Sequence, residues 1–344
     1  MSRVALVSFR LGGTDGVSIE AAKWVGALGE LGHQVSTVAG SGVADRLIPG
    51  LAADAPSAPT FSELSIALEP FDLVIVENLA SLPLNVAARD VLYNVLSGRV
   101  ALFHHHDLPW QRSHLAHLEG PRDEPRWRHV TINELSRREL CERGIDATVI
   151  YNSFDCSPPP GRRDVTRRAL RIGNEALVVL PTRAIPRKNV EGALALCEGL
   201  DAILWIMGPA EDDYAEELDR LLRASRVTVR RTLPDGVTMA DAYAGCDLVV
   251  MPSTWEGFGN PVLESVTHRR VLALNPYPVA REILSFGFTF FDLSDMASLQ
   301  QFIEHPDEEI FDANLEIARR HFNLDDLAGR LHELVNGMLQ VGDD

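Results

Sequence analysis

Apolar positions along the chain alternate between two rhythms. Short apolar runs read as buried strands: Val4–Phe9, Gln34–Val38, Leu73–Val76, Val100–Phe103, His129–Ile132 and Thr148–Tyr151. Between the first two, Val17, Ala21, Val25, Leu28 and Leu31 recur at helical spacing, which predicts a helix from about Ser18 to Gly32 with one buried face. Strands alternating with helices predict a parallel sheet covered on both faces. The segment Ser157-Pro158-Pro159-Pro160-Gly161 interrupts the rhythm and reads as an interdomain linker. Alternation then resumes with Leu177–Leu180, Ile203–Met207, Val227–Arg230, Leu248–Met251 and Val271–Leu274. The pattern predicts an α/β chain of two doubly wound, Rossmann-like domains facing a central cleft, with ligands beyond the carboxyl ends of the strands. A last amphipathic helix, about Leu324 to Leu339, carries Leu327, Leu331, Leu334, Val335 and Met338 on one face.

The 344-residue length suits two domains of ordinary size. A formal charge of −17 argues against a general nucleic-acid binder and against a stable anchor on anionic lipid. Two local arginine clusters, Arg122, Arg126 and Arg128, and Arg162, Arg163, Arg167, Arg168 and Arg171, are expected to be solvated helix faces or linker charges. Cys141, Cys156, Cys197 and Cys246 are scattered without metal-ligand spacing, and Cys197 and Cys246 sit among apolar residues as core thiols. A reducing, cytoplasmic location fits that usage. The chain runs directly into its first strand with no signal peptide expected, and no apolar run approaches the ~18 residues that span a bilayer.

The chemistry concentrates after the run Asp247-Leu248-Val249-Val250-Met251. There Pro252-Ser253-Thr254-Trp255-Glu256-Gly257-Phe258-Gly259-Asn260-Pro261 leads into a helix carrying Val262, Leu263, Glu264, Ser265 and Val266. A strand passing through glycines into a helix start presents free N–H groups and partial positive charge, which suits a phosphate. An ordinary crossover with both glutamates in solvent is the plain alternative. The whole segment resembles the Glu-x7-Glu motif of retaining glycosyltransferases of family 4, which have the GT-B fold. A second stretch, Pro181-Thr182-Arg183-Ala184-Ile185-Pro186-Arg187-Lys188-Asn189, resembles the same family's Gly-Arg-x-x-x-x-Lys-Asn signature, with Pro181 and Thr182 replacing the usual small residues.

The resemblance implies hexosyl transfer from a UDP- or GDP-sugar, and the acidic charge with no hydrophobic anchor predicts a small, soluble, polar acceptor. Arg183 and Lys188 would meet the donor diphosphate, whose charge grows as the glycosidic bond breaks. Glu256 would lie against the sugar hydroxyls and Glu264 against the ribose, with the backbone of Phe258, Gly259 and Asn260 at the sugar and distal phosphate. Gly208-Pro209 and Arg231-Thr232-Leu233-Pro234 are weaker donor-side signals. In the first domain, the loop Phe9-Arg10-Leu11-Gly12-Gly13-Thr14-Asp15-Gly16 matches no phosphate-loop fingerprint, yet the family uses its glycine-rich loop near donor phosphate and acceptor. Gly13 is thus a donor-side residue, and Gly12, Gly13, Thr14, Asp15, Ser18, His104, Asp107 and Arg112 are acceptor-side candidates. Asp15 or Ser18 serves equally well as a helix cap.

His104-His105-His106-Asp107 follows a strand, and alternation puts His104 and His106 on one side. A two-ligand metal corner is conceivable, but no nearby cysteine or carboxylate pair completes it, so no metal or other cofactor is expected. His106-Asp107 resembles the family's His-Asp, whose histidine contacts the donor sugar, with His104 as the alternative register. Trp110 follows as a further acceptor-side residue, and Glu211-Asp212-Asp213 reads as a solvated helix start. Tyr151-Asn152-Ser153-Phe154-Asp155 resembles the family's hinge turn, with Ser153 in place of glycine. The expected domains are 1–155 and 156–323, with the segment 324–344 crossing back in the resembling family. The largest departure, Ser265-Val266-Thr267-His268-Arg269-Arg270-Val271, replaces a run of small residues and bears on the donor pocket or the helix end. A sugar-nucleotide epimerase of the same architecture and a non-catalytic donor-binding partner are the competing readings. Oligomeric state is not legible.

Overall fold

The computed structural model describes residues 1–211 and 213–340. Asp212 and residues 341–344, which belong to two of the expected segments, lie outside the described residues. The chain divides into two units: Met1–Ser153 together with the segment beginning at Leu324, and Phe154–Asn323.

The first unit contains β1 (Arg3–Leu11), α1 (Gly16–Glu30), β2 (Gln34–Gly42), β3 (Arg46–Leu47), α2 (Phe61–Leu68), β4 (Leu73–Glu77), α3 (Val86–Leu96), β5 (Ala101–His105), β6 (Trp127–Thr131), α4 (Glu134–Cys141) and β7 (Ala147–Val149). Its strands form one parallel sheet in the order β3-β2-β1-β4-β5-β6-β7. Every residue of β4 and β5 is buried, as a parallel sheet covered on both faces requires. Alternation along β1 sends Ala5 and Val7 into a core with Leu64, Leu68 and Leu92, and Val4 and Leu6 into another with Trp24 and Leu28. Truncating fully buried Leu28 to alanine would cost about 2–5 kcal/mol.

The second unit contains α5 (Arg163–Ala169), β8 (Leu177–Leu180), α6 (Val190–Gly199), β9 (Ile203–Ile206), α7 (Ala215–Ala224), β10 (Val229–Arg231), α8 (Met239–Gly245), β11 (Leu248–Met251), α9 (Asn260–Thr267), β12 (Leu272–Leu274), α10 (Pro278–Leu284), β13 (Phe291–Asp292), α11 (Met296–Glu304) and α12 (Glu308–Phe322). The sheet is again parallel, in the order β10-β9-β8-β11-β12-β13. The strand order reverses between β8 and β11, so the loops leaving these neighbours sit side by side at the carboxyl edge. A final helix, α13 (Leu327–Gln340), belongs to the first unit, where Leu327, Leu331, Val335 and Met338 share a core with Trp24 and Leu28 of α1.

Two strands were not foreseen. Strands β3 and β13 are each two residues long, too short to carry a period. The arginines near residue 165 are also not all solvated. Arg167 is buried and donates to the carbonyls of Gly173, Glu175 and Gly245, while Arg162 pairs with Asp241 and Arg163 with Asp247. Buried carbonyls left open by the turns need donors, and this guanidinium supplies them. The Pro158–Gly161 segment lies within the second unit, and a Cβ at Gly161 would meet the Ala240 carbonyl at 1.8 Å. All four cysteines are free, and burial pushes the Cys197 and Cys246 thiols up to about 12. Among the described residues, no helix is long and apolar enough to cross a membrane.

Candidate functional site

In the second unit, the neighbouring exits of β8 and β11 bring the two sequence motifs together. The loop after β8 is stitched to the loop after β11 by Thr254 N–H donating to the Arg187 carbonyl (2.9 Å) and Asn189 Nδ2 donating to the Pro252 carbonyl (3.2 Å). Glu256 is 5% exposed and its two oxygens have different partners: Lys188 Nζ donates to Oε1 at 2.5 Å, and Arg187 Nη1 donates to Oε2. Arg187 Nη1 also donates to the Trp255 carbonyl at 2.9 Å. Burial alone would push the Glu256 carboxyl up, but Lys188 and Arg187 outweigh it and hold the group below its usual range. Lys188 shares this one anion with Arg187, and burial with that neighbouring cation draws its ammonium below the ordinary lysine value.

Arg183, the other expected diphosphate ligand, is about two-fifths exposed and pairs with Glu211 at 2.5 Å. The acidic stretch read as a solvated helix start therefore supplies a partner for the site, and α7 begins only at Ala215. Gly208 lets the end of β9 run against this loop, because a Cβ there would meet Arg183 N and Cα at 2.6 Å. Thr232 holds a left-handed backbone (φ 64°) and its carbonyl accepts Trp205 Nε1 at 2.8 Å.

Further along the β11 exit, Gly259 adopts φ 93°, and any Cβ would strike Tyr277 Oη at 2.1 Å, so only glycine fits. Tyr277 Oη in turn donates to the Phe258 carbonyl at 2.9 Å. The Phe258 ring is buried near Phe154 and Phe322, leaving its backbone as the part able to face a ligand. Pro261 occupies the first turn of α9. Glu264, a turn into α9, accepts Tyr243 Oη at 2.6 Å, and the Tyr243 ring stacks on His268 at 4.6 Å. Burial, with the Glu264 charge beside it, keeps the Tyr243 hydroxyl protonated well above its ordinary value, so it acts as a fixed donor. Glu256 and Glu264 thus have separate surroundings on one local segment.

The departure at Arg269-Arg270 is a helix-end feature. Arg269 N–H donates to the Val266 carbonyl and Arg270 N–H to the Ser265 carbonyl, and Arg269 has φ 54°. This is the Schellman pattern, with arginine in the left-handed position that usually takes glycine. The Arg269 guanidinium leaves α9 altogether and pairs with Asp312 (2.6 Å) and Glu308 (2.7 Å) on α12.

The first unit holds a second buried carboxylate. Register aligns Glu77 of β4 with His104 of β5, and His106 returns to the same side two residues later. Glu77 Oε2 lies 2.9 Å from both His104 Nδ1 and His106 Nε2. The expectation that no nearby cysteine or carboxylate pair completes the site missed one carboxylate, Glu77: one ligand-type atom from each of Glu77, His104 and His106 lies within 4.8 Å of the others. The 2.9 Å spacings are those of hydrogen bonds, with each ring nitrogen donating to the carboxylate. Burial would raise the Glu77 carboxyl, yet His104 and His106 bring it down to about 2. His104 is fully buried and stacked on Trp24 at 4.1 Å, with its pKa lowered by burial, so it has no surface to offer an acceptor. His106 is 4% exposed.

The remaining first-unit candidates are mostly tied to one another. Asp15 caps α1, accepting Ser18 N–H (3.1 Å) and Oγ (2.9 Å), and pairs with Arg10 at 3.0 Å. Burial opposes its charge, but these donors win and lower its pKa. Arg112 Nη2 pairs with Asp107 at 2.7 Å, and Asn78 Oδ1 accepts the N–H groups of His106 and Asp107. Gly12, Gly13 and Thr14 are exposed. Trp110 Nε1 donates to Glu139 and its ring lies under Arg143. Ser153, at the end of the unit, donates its N–H to Glu20 Oε1 at 3.2 Å.

Four residues of these networks were missed from the sequence: Arg187, Tyr243, Tyr277 and Glu77. Glu77 had a signal, since a lone acid closing an otherwise apolar buried strand needs donors. Arg187 stood inside the quoted motif, whereas nothing local marks Tyr243 or Tyr277.

Residues 182–298 match the family model described as Glycosyl transferases group 1. The mannosylglucosylglycerate synthase of Thermotoga maritima is 27% identical, across 94% of this chain and 97% of that protein. The enzyme of the same name from Petrotoga mobilis is 26% identical, across 98% and 97%. Among solved structures, Anabaena Alr3699/HepE in complex with UDP-glucose is similar at a TM-score of 0.73 and 17% identity, covering 97% of this chain and 99% of its own. Sucrose-phosphate synthase from Thermosynechococcus elongatus gives a TM-score of 0.73 at 15% identity, over 99% and 100%. The matched segment, the relatives spanning nearly the whole chain and the GT-B fold agree on a glycosyltransferase like those of family 4.

Proposed function

We propose that this family-4-like glycosyltransferase moves a hexosyl group from a UDP- or GDP-sugar to a small, polar, carboxylate-bearing acceptor, with retained anomeric configuration and no obligatory metal. The observation that carries the reading is the buried Glu256 carboxylate held between Lys188 and Arg187 where the β8 and β11 exits meet. Two cations on one anion leave the trio a positive charge in excess, the complement of an anionic diphosphate.

Lys188, with Arg183 at the outer edge, meets the diphosphate and stabilises the charge that builds there as the glycosidic bond breaks. Glu256 accepts hydrogen bonds from the sugar hydroxyls. Glu264, oriented by Tyr243, accepts those of the ribose. Backbone N–H groups of Phe258, Gly259 and Asn260 at the start of α9 serve the sugar and distal phosphate. The leaving oxygen takes the acceptor's proton on the same face, so no protein nucleophile is required. The cations and the helix start compensate the diphosphate, which removes the need for a metal there. In the first unit, Gly12, Gly13, Thr14, Asp107 and Arg112 are the proposed acceptor-side residues.

The name shared by the two relatives favours a mannosyl group and a glucosylglycerate acceptor. Glycerate is a hydroxy acid, so its glycoside keeps a negative charge. The UDP-glucose bound to the Anabaena neighbour keeps UDP among the donors to be tried. Reduced thiols fit a cytoplasmic enzyme.

The test is turnover of UDP- and GDP-hexoses against a panel including glycerate and glucosylglycerate, with and without chelator, the product anomer read by NMR. Transfer with retention in chelator is expected. Donor conversion without acceptor would indicate an epimerase, and nucleotide binding without turnover a partner protein. Activity lost in chelator and restored by a divalent ion would overturn the metal-independent reading.

A further inference from the structure

Arg187 links the β8 and β11 exits through both its carbonyl and its guanidinium. Its carbonyl accepts Thr254 N–H at 2.9 Å, its Nη1 donates to the Trp255 carbonyl at 2.9 Å, and the same Nη1 donates to Glu256 Oε2. Lys188 Nζ holds the other oxygen of the same carboxylate. The side chain of Arg187 is 23% exposed, and those of Lys188 and Glu256 are 8% and 7%. A buried carboxylate that loses its cation is strongly penalised. If Lys188 turned to a diphosphate with no other cation present, Glu256 would favour its protonated form and lose acceptor capacity toward a hydroxyl.

We propose that Arg187 is the positioning residue that keeps the Glu256 carboxylate ionised and aimed while Lys188 engages the donor diphosphate. This rests on the donor reading above. The guanidinium suits the task because it stays charged in proteins, and its anchor on the Trp255 carbonyl fixes where that charge stands. The other groups acting on this site are Ser253 after β11, whose buried hydroxyl has no hydrogen-bond partner among the described residues, Arg183, which acts on Lys188, and Tyr277 before α10, whose hydroxyl is kept protonated by burial and then by the Glu256 charge. None of these is a second fixed cation on the carboxylate.

The experiment compares wild type, Arg187→Gln and Arg187→Lys by three readouts: kcat against pH, UDP and GDP affinity by calorimetry, and a 13C NMR titration of glutamate-labelled protein. The Glu256 resonance is assigned by its loss in Glu256→Gln. Arg187→Gln should lower kcat about ten- to a hundredfold, the scale of one charged hydrogen bond. It should also move both the acid limb of kcat and the Glu256 titration to higher pH, with nucleotide affinity nearly unchanged. Arg187→Lys should restore the acid limb in part. An unmoved Glu256 titration would overturn the proposal. So would nucleotide affinity falling as far as kcat, which would make Arg187 a phosphate ligand. The NMR titration needs no turnover, so a wild type that neither binds nucleotide nor transfers sugar would fail the donor reading while the titration still decides what Arg187 does to Glu256.

Discussion

Each unit buries one carboxylate between two nitrogen-bearing side chains, yet the two trios have opposite electrostatic characters. Glu77 sits between His104 and His106, residues that can shed their charge, and burial does lower the His104 pKa. Glu256 sits between Arg187 and Lys188, and the arginine cannot shed its charge. The first trio lies within the core, its carboxylate held by both histidines while His104 Nε2 has no hydrogen-bond partner among the described residues. The second keeps a positive excess beside the loop and helix start that the proposed function gives to an anion. On the proposed function, similar hydrogen-bond geometry serves structure in the first trio and ligand chemistry in the second.

The largest expected effect lies in the first trio. Glu77→Ala should cost about 3–5 kcal/mol in denaturant unfolding, because it leaves two buried ring nitrogens without their acceptor. A carboxyl lowered from 4.5 to about 2 stabilises the folded state above the upper value, and that contribution disappears as pH falls toward the lower one. The amount at neutral pH is about 3 kcal/mol for such a shift. The depressed His104 pKa acts in the same direction, since the unfolded chain takes up that proton first as pH falls. Unfolding midpoints measured from pH 6 to pH 2, a window of roughly that carboxylate titration, should decline steeply in wild type and less in Glu77→Gln. Parallel slopes would remove Glu77 from the account.

A smaller effect separates the two glutamates of the second unit. Glu256→Gln should mainly depress kcat, whereas Glu264→Ala should mainly weaken nucleotide binding, because the proposed function gives the ribose end to Glu264 alone. Steady-state kinetics with calorimetry reads the split. Negligible change in both variants would leave the pair a purely structural role.

The smallest effect is at Arg269. Replacing it with glycine relieves a left-handed backbone by about 1 kcal/mol, and loses exposed ion pairs each worth about 0–1 kcal/mol. Thermal unfolding of Arg269→Gly should stay close to wild type, and nucleotide affinity should not move. A changed affinity would return Arg269 to the donor pocket.

These contrasts show what the sequence made legible. Strands such as Leu177–Leu180 and Leu248–Met251 were readable to the residue because a strand buried on both faces is simply apolar. The stripe Leu327, Leu331, Val335 and Met338 showed that the last helix buries a face, but periodicity says nothing about which core receives it. The Glu256 and Lys188 motifs were legible because each is local. Their meeting depends on β8 and β11 being neighbours, a property of strand order rather than of any short stretch. Tyr243 was invisible for the same reason, since it reaches Glu264 across a strand and a loop. His104 was misplaced because alternation gives a side of the sheet and not the depth of burial there.

The central claim is that the positive excess around Lys188 receives a nucleoside diphosphate. Calorimetric titration of UDP and of GDP into wild type, Lys188→Ala and Arg183→Ala tests it most directly. At least one nucleotide should bind wild type, and each variant should bind about ten- to a hundredfold more weakly, the loss expected for a charged hydrogen bond. Absence of binding by either nucleotide, or wild-type affinity in both folded variants, would contradict the account.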